Sequence, residues 1–393
     1  MTPYGNLLYF AVLLYPAAAT ITLRATRGGA PGWRWMLALS AAMLVLQYWN
    51  PLPIGPETMV RELYLVLAYA ALQWGVLRMY LARRSAGKST RAIAIAVLAS
   101  LAPLAVAKLT PVVAPESLIG FLGISYVTFR ALDVLFDVHD GLVKEVAAGP
   151  YFTYLFFFPT ISAGPIDRFR RFTAELETRR TRADLMHDLD AAAHKLINGL
   201  WFKFVLAALV QQYWLAPAAE ASDLASIVSY MYAYSAYLFF DFTGYTDFAL
   251  ATSYLFGVHP PENFRRPYLA RNIADFWNRW HISLSHWFRD QIFMRVTMIV
   301  MKRRWVASTV SASALAFLVT FGLMGLWHGV ALNFVLYGLY HAALLAGHTA
   351  ATRWGRRRAW WGRGRWWPAA SWFLTFNLVC FGFLLFSGRL TNS

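Results

Sequence analysis

Charge is scarce in this sequence. Only 14% of its 393 residues are Asp, Glu, Lys or Arg, against about 25% in an average soluble domain. A water-soluble fold of this length needs far more polar surface than so few charges supply. A soluble globular enzyme is therefore excluded. A disordered chain is excluded as well, because disorder goes with low hydrophobicity. Acidic residues are scarcer still, with 20 Asp and Glu against 36 Lys and Arg, a formal net charge of +16. Cysteine is nearly absent. Cys380 stands alone inside an apolar run, so no intrachain disulfide or thiolate cluster can form, and it reads as a packed core thiol. Signature motifs are missing too. There is no P-loop, no dinucleotide fingerprint, no H-E-x-x-H and no C-x-x-C, and no G-x-S-x-G elbow for Ser283 or Ser285. Nothing here binds ATP by a known motif, and no metal site is expected.

What the chain has is apolar length: 58% of its residues are hydrophobic. A helical membrane span takes about 20 apolar residues. Such runs occupy 4–23, 33–49, 62–80, 92–107, 117–136, 194–214, 224–256, 308–327, 331–350 and 368–386. The stretch 224–256 is long enough for one tilted helix or for two. Shorter runs at 151–163 and 287–301 read as re-entrant or interfacial. Because lipid leaves only helices for runs of this kind, the expected fold is an all-α polytopic membrane protein. About 10–11 transmembrane helices make one membrane domain over 1–393, without repeats or a linker. The 17 Trp and 20 Tyr suit aromatic belts at two interfaces.

The excess of basic residues then sets sidedness. Arg24, Arg27 and Arg34 flank the first connection, and Arg83, Arg84, Lys88 and Arg91 the third. The loops between them carry almost no positive charge. By the positive-inside rule this puts the N-terminus outside. The long polar loops 164–193 and 257–289, and the arginine-rich loop 351–367, fall inside. The basic balance thus follows from topology and not from nucleic-acid binding. The N-terminal apolar run lacks a basic region before it and reads as a first span, not a cleaved signal.

Ionisable groups in such a chain mark candidate chemistry. His328 stands in Gly322-Leu323-Met324-Gly325-Leu326-Trp327-His328-Gly329, where an imidazole can act as a general base. A buried histidine satisfied by a neighbouring carbonyl fits the fragment equally well. His281 lies in Phe276-Trp277-Asn278-Arg279-Trp280-His281-Ile282-Ser283-Leu284-Ser285-His286, either an amphipathic interfacial helix or the polar lining of a channel. Asp241 and Asp247 sit within a span and each requires a partner or a wet cavity. His341 and His348, seven apart, read as packing or interfacial residues.

These motifs resemble the membrane-bound O-acyltransferase (MBOAT) superfamily. The resemblance rests on Trp280-His281-Ile282-Ser283-Leu284-Ser285 paired with Leu326-Trp327-His328-Gly329. It extends through the stretch from Pro159 to Arg168 and through Pro261-Glu262-Asn263-Phe264-Arg265-Arg266-Pro267. Within the superfamily the chain is similar to the D-alanyl-lipoteichoic acid (DltB-like) branch. The opening Thr2-Pro3-Tyr4-Gly5-Asn6, the stretch from Phe276 to His281, the run from Trp287 to Arg295 and the ending Phe386-Ser387-Gly388 carry that similarity. The alginate branch instead tends to a Tyr-Ile-Pro-Leu-Gly-Gly run after the Arg-Asp pair, which is absent after Asp290. The Ala- and Arg-rich composition departs from the Lys- and Ile-rich members, which leaves the acceptor polymer open.

The resemblance implies spans surrounding a central funnel and an acyl transfer from a thioester to a hydroxyl. The donor would be D-alanine on the 4'-phosphopantetheine arm of a small acidic carrier protein, docked on basic cytoplasmic loops. No cofactor would be tightly bound. His328 would be the general base, and His281 would orient the thioester or stabilise its oxyanion. Asn278, Trp280, Trp327 and Ser283 would line the substrate channel. Further partners would be a second membrane or extracytoplasmic acyltransferase component and a small membrane peptide. The site of action would be the bacterial cytoplasmic membrane, and the product a D-alanylated teichoic acid or other envelope polymer. An acetyl-CoA-dependent exopolysaccharide O-acetyltransferase and a non-catalytic transporter are the competing readings.

Overall fold

A computed structural model describes residues 3–5, 7–27, 31–48, 56–113, 119–178, 180–355 and 364–391. Much of the basic loop 351–367 and part of the opening motif at residues 2–6 lie outside the described residues. Among those described every element is helical. Two compact units emerge, one of residues 1–199 and 245–261, the other of 200–244 and 262–393.

The first unit opens with four long helices: α1 (Leu7–Arg27), α2 (Trp33–Tyr48), α3 (Pro56–Ser85) and α4 (Thr90–Val113). Then come α5 (Ile124–Asp140), α6 (Ala148–Leu155), α7 (Phe169–Glu177) and α8 (Arg182–Gly199). From Gly199 the chain runs on through wider π-type turns, a short α9 (Ala208–Val210) and α10 (Ala216–Glu220). Next is α11 (Leu224–Leu255), one helix of 32 residues, which resolves the alternative of one or two. Its residues from Tyr245 onward belong to the first unit. The second unit continues with α12 (Ile273–Trp277), α13 (Ile282–Phe288), α14 (Met294–Lys302), α15 (Thr309–His328), α16 (Leu332–Gly355) and α17 (Trp367–Phe386).

Among the described residues, most of each of the ten apolar runs is helical, and six helices are long and apolar enough to cross a membrane: Leu8–Thr26, Arg61–Ser85, Thr90–Thr110, Arg182–Glu220, Thr309–His328 and Trp367–Phe386. The chain is an all-α polytopic membrane protein. Length and composition explain why other expected spans fall short of that measure. Helix α2 has 16 residues and α5 has 17; α5 also carries Arg130, Asp133, Asp137 and Asp140, and α11 carries Asp241 and Asp247 among several Tyr and Ser. The run at 151–163 forms only short pieces, whereas 287–301 lies in a continuous helical stretch in which α13 passes through a π-type turn (Arg289–Phe293) into α14. The first is α6 followed by a 3-10 turn at Phe158–Thr160.

Charges inside the first unit are neutralised in place. Arg130 is 1% exposed, and its guanidinium closes the end of α6. It donates to the carbonyls of Tyr154 at 2.9 Å, Leu155 at 3.0 Å and Thr160 at 2.9 Å, and also to the Thr160 hydroxyl. Asp133, fully buried, takes Arg168 and the backbone N–H of Phe169 at 3.2 Å. The stretch from Pro159 to Arg168 is thus a structural knot. Arg24 corrects the reading of the first connection. It is not a solvated loop charge but is 4% exposed, pairs with Asp188 and donates to the carbonyls of Tyr254 at 3.0 Å and Leu255 at 3.1 Å. Those are orphan acceptors at the end of α11. Asp247 meets the expectation of a partner, with Lys195 at 2.9 Å.

In the second unit, α15 and α16 form a tight antiparallel hairpin. A Cβ added at Gly325 would meet the Phe334 carbonyl oxygen at 2.4 Å, and one at Gly338 the Phe321 oxygen at 2.3 Å. Only glycine permits this approach. The hairpin turn begins right after His328, so the packing of these helices fixes where that histidine stands. Asp241 is paired with Lys203.

Candidate active site

The His281 turn is built by a backbone clamp. Asn263, 0% exposed, accepts from Ile282 N through its carbonyl at 2.9 Å. Its Oδ1 takes Ser283 N at 3.2 Å and the Ser283 hydroxyl at 2.6 Å. Arg265 N donates to Arg279 O at 3.0 Å. The motif from Pro261 to Pro267 therefore holds the histidine segment in register. Within this clamp His281 adopts φ 42 and ψ 53, in the left-handed region, just before α13. A non-glycine residue there costs on the order of 1–3 kcal/mol and needs surroundings that enforce it.

His281 is 4% exposed and stands edge-on to Phe242 with ring centroids 4.8 Å apart. Burial first, and then the neighbouring His328, push its pKa down to about 3. The imidazole is accordingly neutral at physiological pH. Its Nε2 is buried without a hydrogen-bond partner among the described residues. A buried polar atom left unpaired costs about 1–3 kcal/mol, so this one is available to a substrate.

His328 ends α15. Rings surround it: Trp327 at 4.6 Å, Phe386 at 4.9 Å, Phe334 at 6.1 Å and Tyr337 at 6.1 Å between centroids. His281 and His328 line one small cavity of about 90 Å³, together with Leu238, Phe242, Trp280, Leu284, Tyr337, Phe383 and Phe386. No Asp, Glu, Lys or Arg among the described residues lines it. A second cavity of about 200 Å³ is more polar, lined by Asn278, Ser285, His286 and Arg289 as well as rings. Trp277 and Met324 line both.

The sequence-predicted residues therefore divide. His281, His328 and Trp280 share the small cavity. Asn278 lies on the second one and is exposed. Trp327 packs on His328 but is not among the lining residues. Ser283 is spent on Asn263. Asn263 and Trp277 both stand in the quoted motifs, yet nothing in the sequence distinguished a clamp or a shared wall from their neighbours. Among the described residues no group of three or more His, Cys, Asp or Glu side chains converges as a metal site would require.

Chemically, the small cavity places two imidazoles in a largely apolar, aromatic lining, with His281 buried and His328 half-buried. One of them is neutral with a ring nitrogen unpaired among the described residues. Such a pair can move a proton and hold a developing negative charge.

Comparison with known proteins identifies the family. The family model described as MBOAT, membrane-bound O-acyltransferase family, matches residues 138–388, which include both histidines. A teichoic acid D-alanyltransferase of Bacillus subtilis (strain 168) is 36% identical over 402 residues, covering 99% of this chain and 98% of that protein. One from Lacticaseibacillus rhamnosus is 36% identical with the same coverage. A probable alginate O-acetylase AlgI of Pseudomonas fluorescens is 28% identical, covering 89% of this chain and 63% of that protein.

Proposed function

This chain belongs to the membrane-bound O-acyltransferase family and is a membrane-bound O-acyltransferase, and from that premise we propose that it transfers D-alanine from a carrier-protein thioester to an envelope hydroxyl. The observation that carries the reading is the shared cavity of His281 and His328. Near-complete coverage of the D-alanyltransferase relatives favours D-alanine over acetate.

In this reading the carrier docks at the cytoplasmic face, and its phosphopantetheine arm occupies the 200 Å³ cavity beside Asn278 and Ser285. The acceptor arrives from the outer side, with the N-terminus also outside. His328 removes the proton from the acceptor hydroxyl, and the oxygen attacks the thioester carbonyl carbon. The carbonyl electrons move onto oxygen, where the His281 Nε2–H donates to them. Collapse of the adduct breaks the carbon–sulfur bond, and the leaving thiolate takes the proton back from His328. The thioester is already activated, so no nucleotide is consumed at this step. The acceptor is a teichoic acid or another envelope polymer, reached directly or through a second acyltransferase component and a small membrane peptide.

A cavity of about 90 Å³ holds about three waters' worth of liquid volume. It therefore suits a short acyl group. The test is label transfer in inside-out vesicles supplied with D-[14C]alanyl carrier protein, the partner components and membrane acceptor. Transfer by wild type, lost in His328→Ala, is the expected result. His328-dependent transfer from labelled acetyl-CoA, with none from the D-alanyl carrier, would overturn the D-alanyl reading.

A further inference from the structure

Trp277 occupies an unusual place. It ends the short helix α12 and lines both cavities, with Met324 as the other residue common to the two. Both side chains are buried, at 7% and 1% exposure. The wall between the polar cavity and the histidine cavity is therefore an indole and a thioether. Of these two, methionine is flexible and adapts to what lies against it. The indole is rigid, so its orientation decides how much room passes from one cavity to the other.

That orientation has a dedicated support. The indole Nε1–H donates to Nδ1 of His341 at 3.4 Å. His341 is fully buried in α16. It meets Trp277 edge-on at 5.2 Å and Tyr337 at 4.6 Å. Its other nitrogen, Nε2, has no partner among the described residues and faces α17, where a Cβ added at Gly382 would approach it to 2.5 Å. An aliphatic or phenyl side chain would fill this space without leaving a buried nitrogen unpaired. The polar ring stands there at that cost, and among the described residues the one side-chain hydrogen bond it makes is to the indole. Phe321 also packs edge-on against Trp277, at 4.9 Å, beside His341.

We propose that Trp277, held in place by His341, is the partition that sets the size of acyl group admitted to the His281–His328 cavity. This rests on the reading of the two cavities as donor side and reaction side. Trp277 would act on the substrate as a specificity-determining wall, and His341 would act through Trp277 as a positioning residue.

The test uses the full-length chain in lipid nanodiscs and two probes, acetyl- and hexanoyl-phosphopantetheine. Their affinities are measured by titration calorimetry, and transfer to acceptor is measured in proteoliposomes with D-alanyl- and D-norvalyl-loaded carrier. One methylene in a fitted pocket is worth about 10-fold or more in discrimination. Wild type should favour the short member of each pair. Trp277→Leu should shift both ratios toward the long member by about 10-fold or more. His341→Phe should shift them in the same direction, and His341→Asn, which offers an acceptor near the Nδ1 position, should restore them. A general loss of fold would lower both members together and leave the ratio where it was. Folded Trp277→Leu protein with wild-type ratios overturns the proposal. Wild type that binds neither thioester overturns it together with the donor-side reading. Wild type that shows the acetyl-over-hexanoyl preference, but no D-alanyl transfer, overturns only the D-alanine assignment.

Discussion

The two units bury polar groups in opposite ways. In the first, each buried charge is met by an opposite charge or by backbone. Arg130 is spent on three carbonyls and a hydroxyl, Arg24 on Asp188 and the end of α11, and Asp133 on Arg168. In the histidine cavity of the second, two neutral-capable rings stand among aromatics with no charged side chain lining the space. One of them, His281, keeps an unpaired nitrogen and a strained backbone. Ion pairs and backbone acceptors of this kind hold a fold, although Arg24, Arg130 and Arg180 each keep a buried Nε without a hydrogen-bond partner among the described residues. An uncharged pair of rings at a cavity leaves a ring nitrogen for a ligand, as the proposed mechanism requires.

The contrast breaks if the histidines turn out to be structural. His328→Ala should lower acyl transfer by about 10²–10⁴-fold, the usual worth of a general base. His281→Ala should lower it by about 10²–10³-fold, as for an oxyanion donor. Both proteins should keep the wild-type elution profile and melting temperature in detergent. Unfolding of either variant would place it with the charges of the first unit. Arg130→Met is the converse experiment. It leaves the carbonyls of Tyr154, Leu155 and Thr160 without their donor. The expected loss is about 3–5 kcal/mol of stability, seen as a lower melting temperature and less folded protein extracted from membranes. Folded Arg130→Met with transfer abolished would make Arg130 part of the chemistry.

How much of this could be read beforehand depends on the range of each interaction. Helix α15 and the other apolar runs are legible because a span needs only local composition. His281 and His328 stand out through their motifs, though not that they share one cavity, and the charges of α11 are legible as groups needing partners. Arg24 was not. Its position after an apolar run made it look like a loop charge, and its partner Asp188 lies 164 residues away. Ser283 resembled a channel residue because a hydroxyl beside a candidate histidine looks the same whether it faces a cavity or Asn263. The shared wall at Trp277 is invisible in sequence for the same reason. Three tryptophans occur between 277 and 287, and only packing tells which one divides two cavities.

Smaller effects sharpen the comparison within the second unit. Gly338→Ala puts a methyl group against the Phe321 carbonyl oxygen, where a Cβ would stand at 2.3 Å. Overpacking of this kind costs about 1–3 kcal/mol. Because the hairpin of α15 and α16 fixes His328, transfer should fall together with the melting temperature. Gly322→Ala is the control on the same helix. Its added Cβ meets nothing within 4 Å, so it should be neutral or stabilise by about 0.5–1 kcal/mol. Equal damage from the two would show that helix approach at Gly338 is not what matters.

The smallest expected effect concerns the edge of the first unit, where a histidine does enter a charged cluster. His259 has Nε2 2.7 Å from Asp188 and Nδ1 3.1 Å from Glu175, with Arg180 also at Nδ1, 2.9 Å away. Hydrogen bonds to Asp188 and then to Glu175 hold its pKa above the ordinary 6.5, against partial burial. The protonated ring donates to Asp188 through Nε2 and to Glu175 through Nδ1, and Arg180 then donates to Glu175 and not to the ring. A raised folded-state pKa means the stabilisation is fully present below the unfolded value and is lost as pH rises through the folded one. Melting temperature should therefore decline as pH is raised from about 6 through neutrality, by the equivalent of at most about 1 kcal/mol for a partly exposed pair. His259→Gln keeps hydrogen-bonding capacity without the titration and should flatten that decline. The pH profile of acyl transfer should keep its shape in this variant, since the imidazoles proposed to react belong to the other unit. A change in the transfer profile without a change in the melting profile would reverse the assignment and move His259 from the charge-paired groups to the reactive ones.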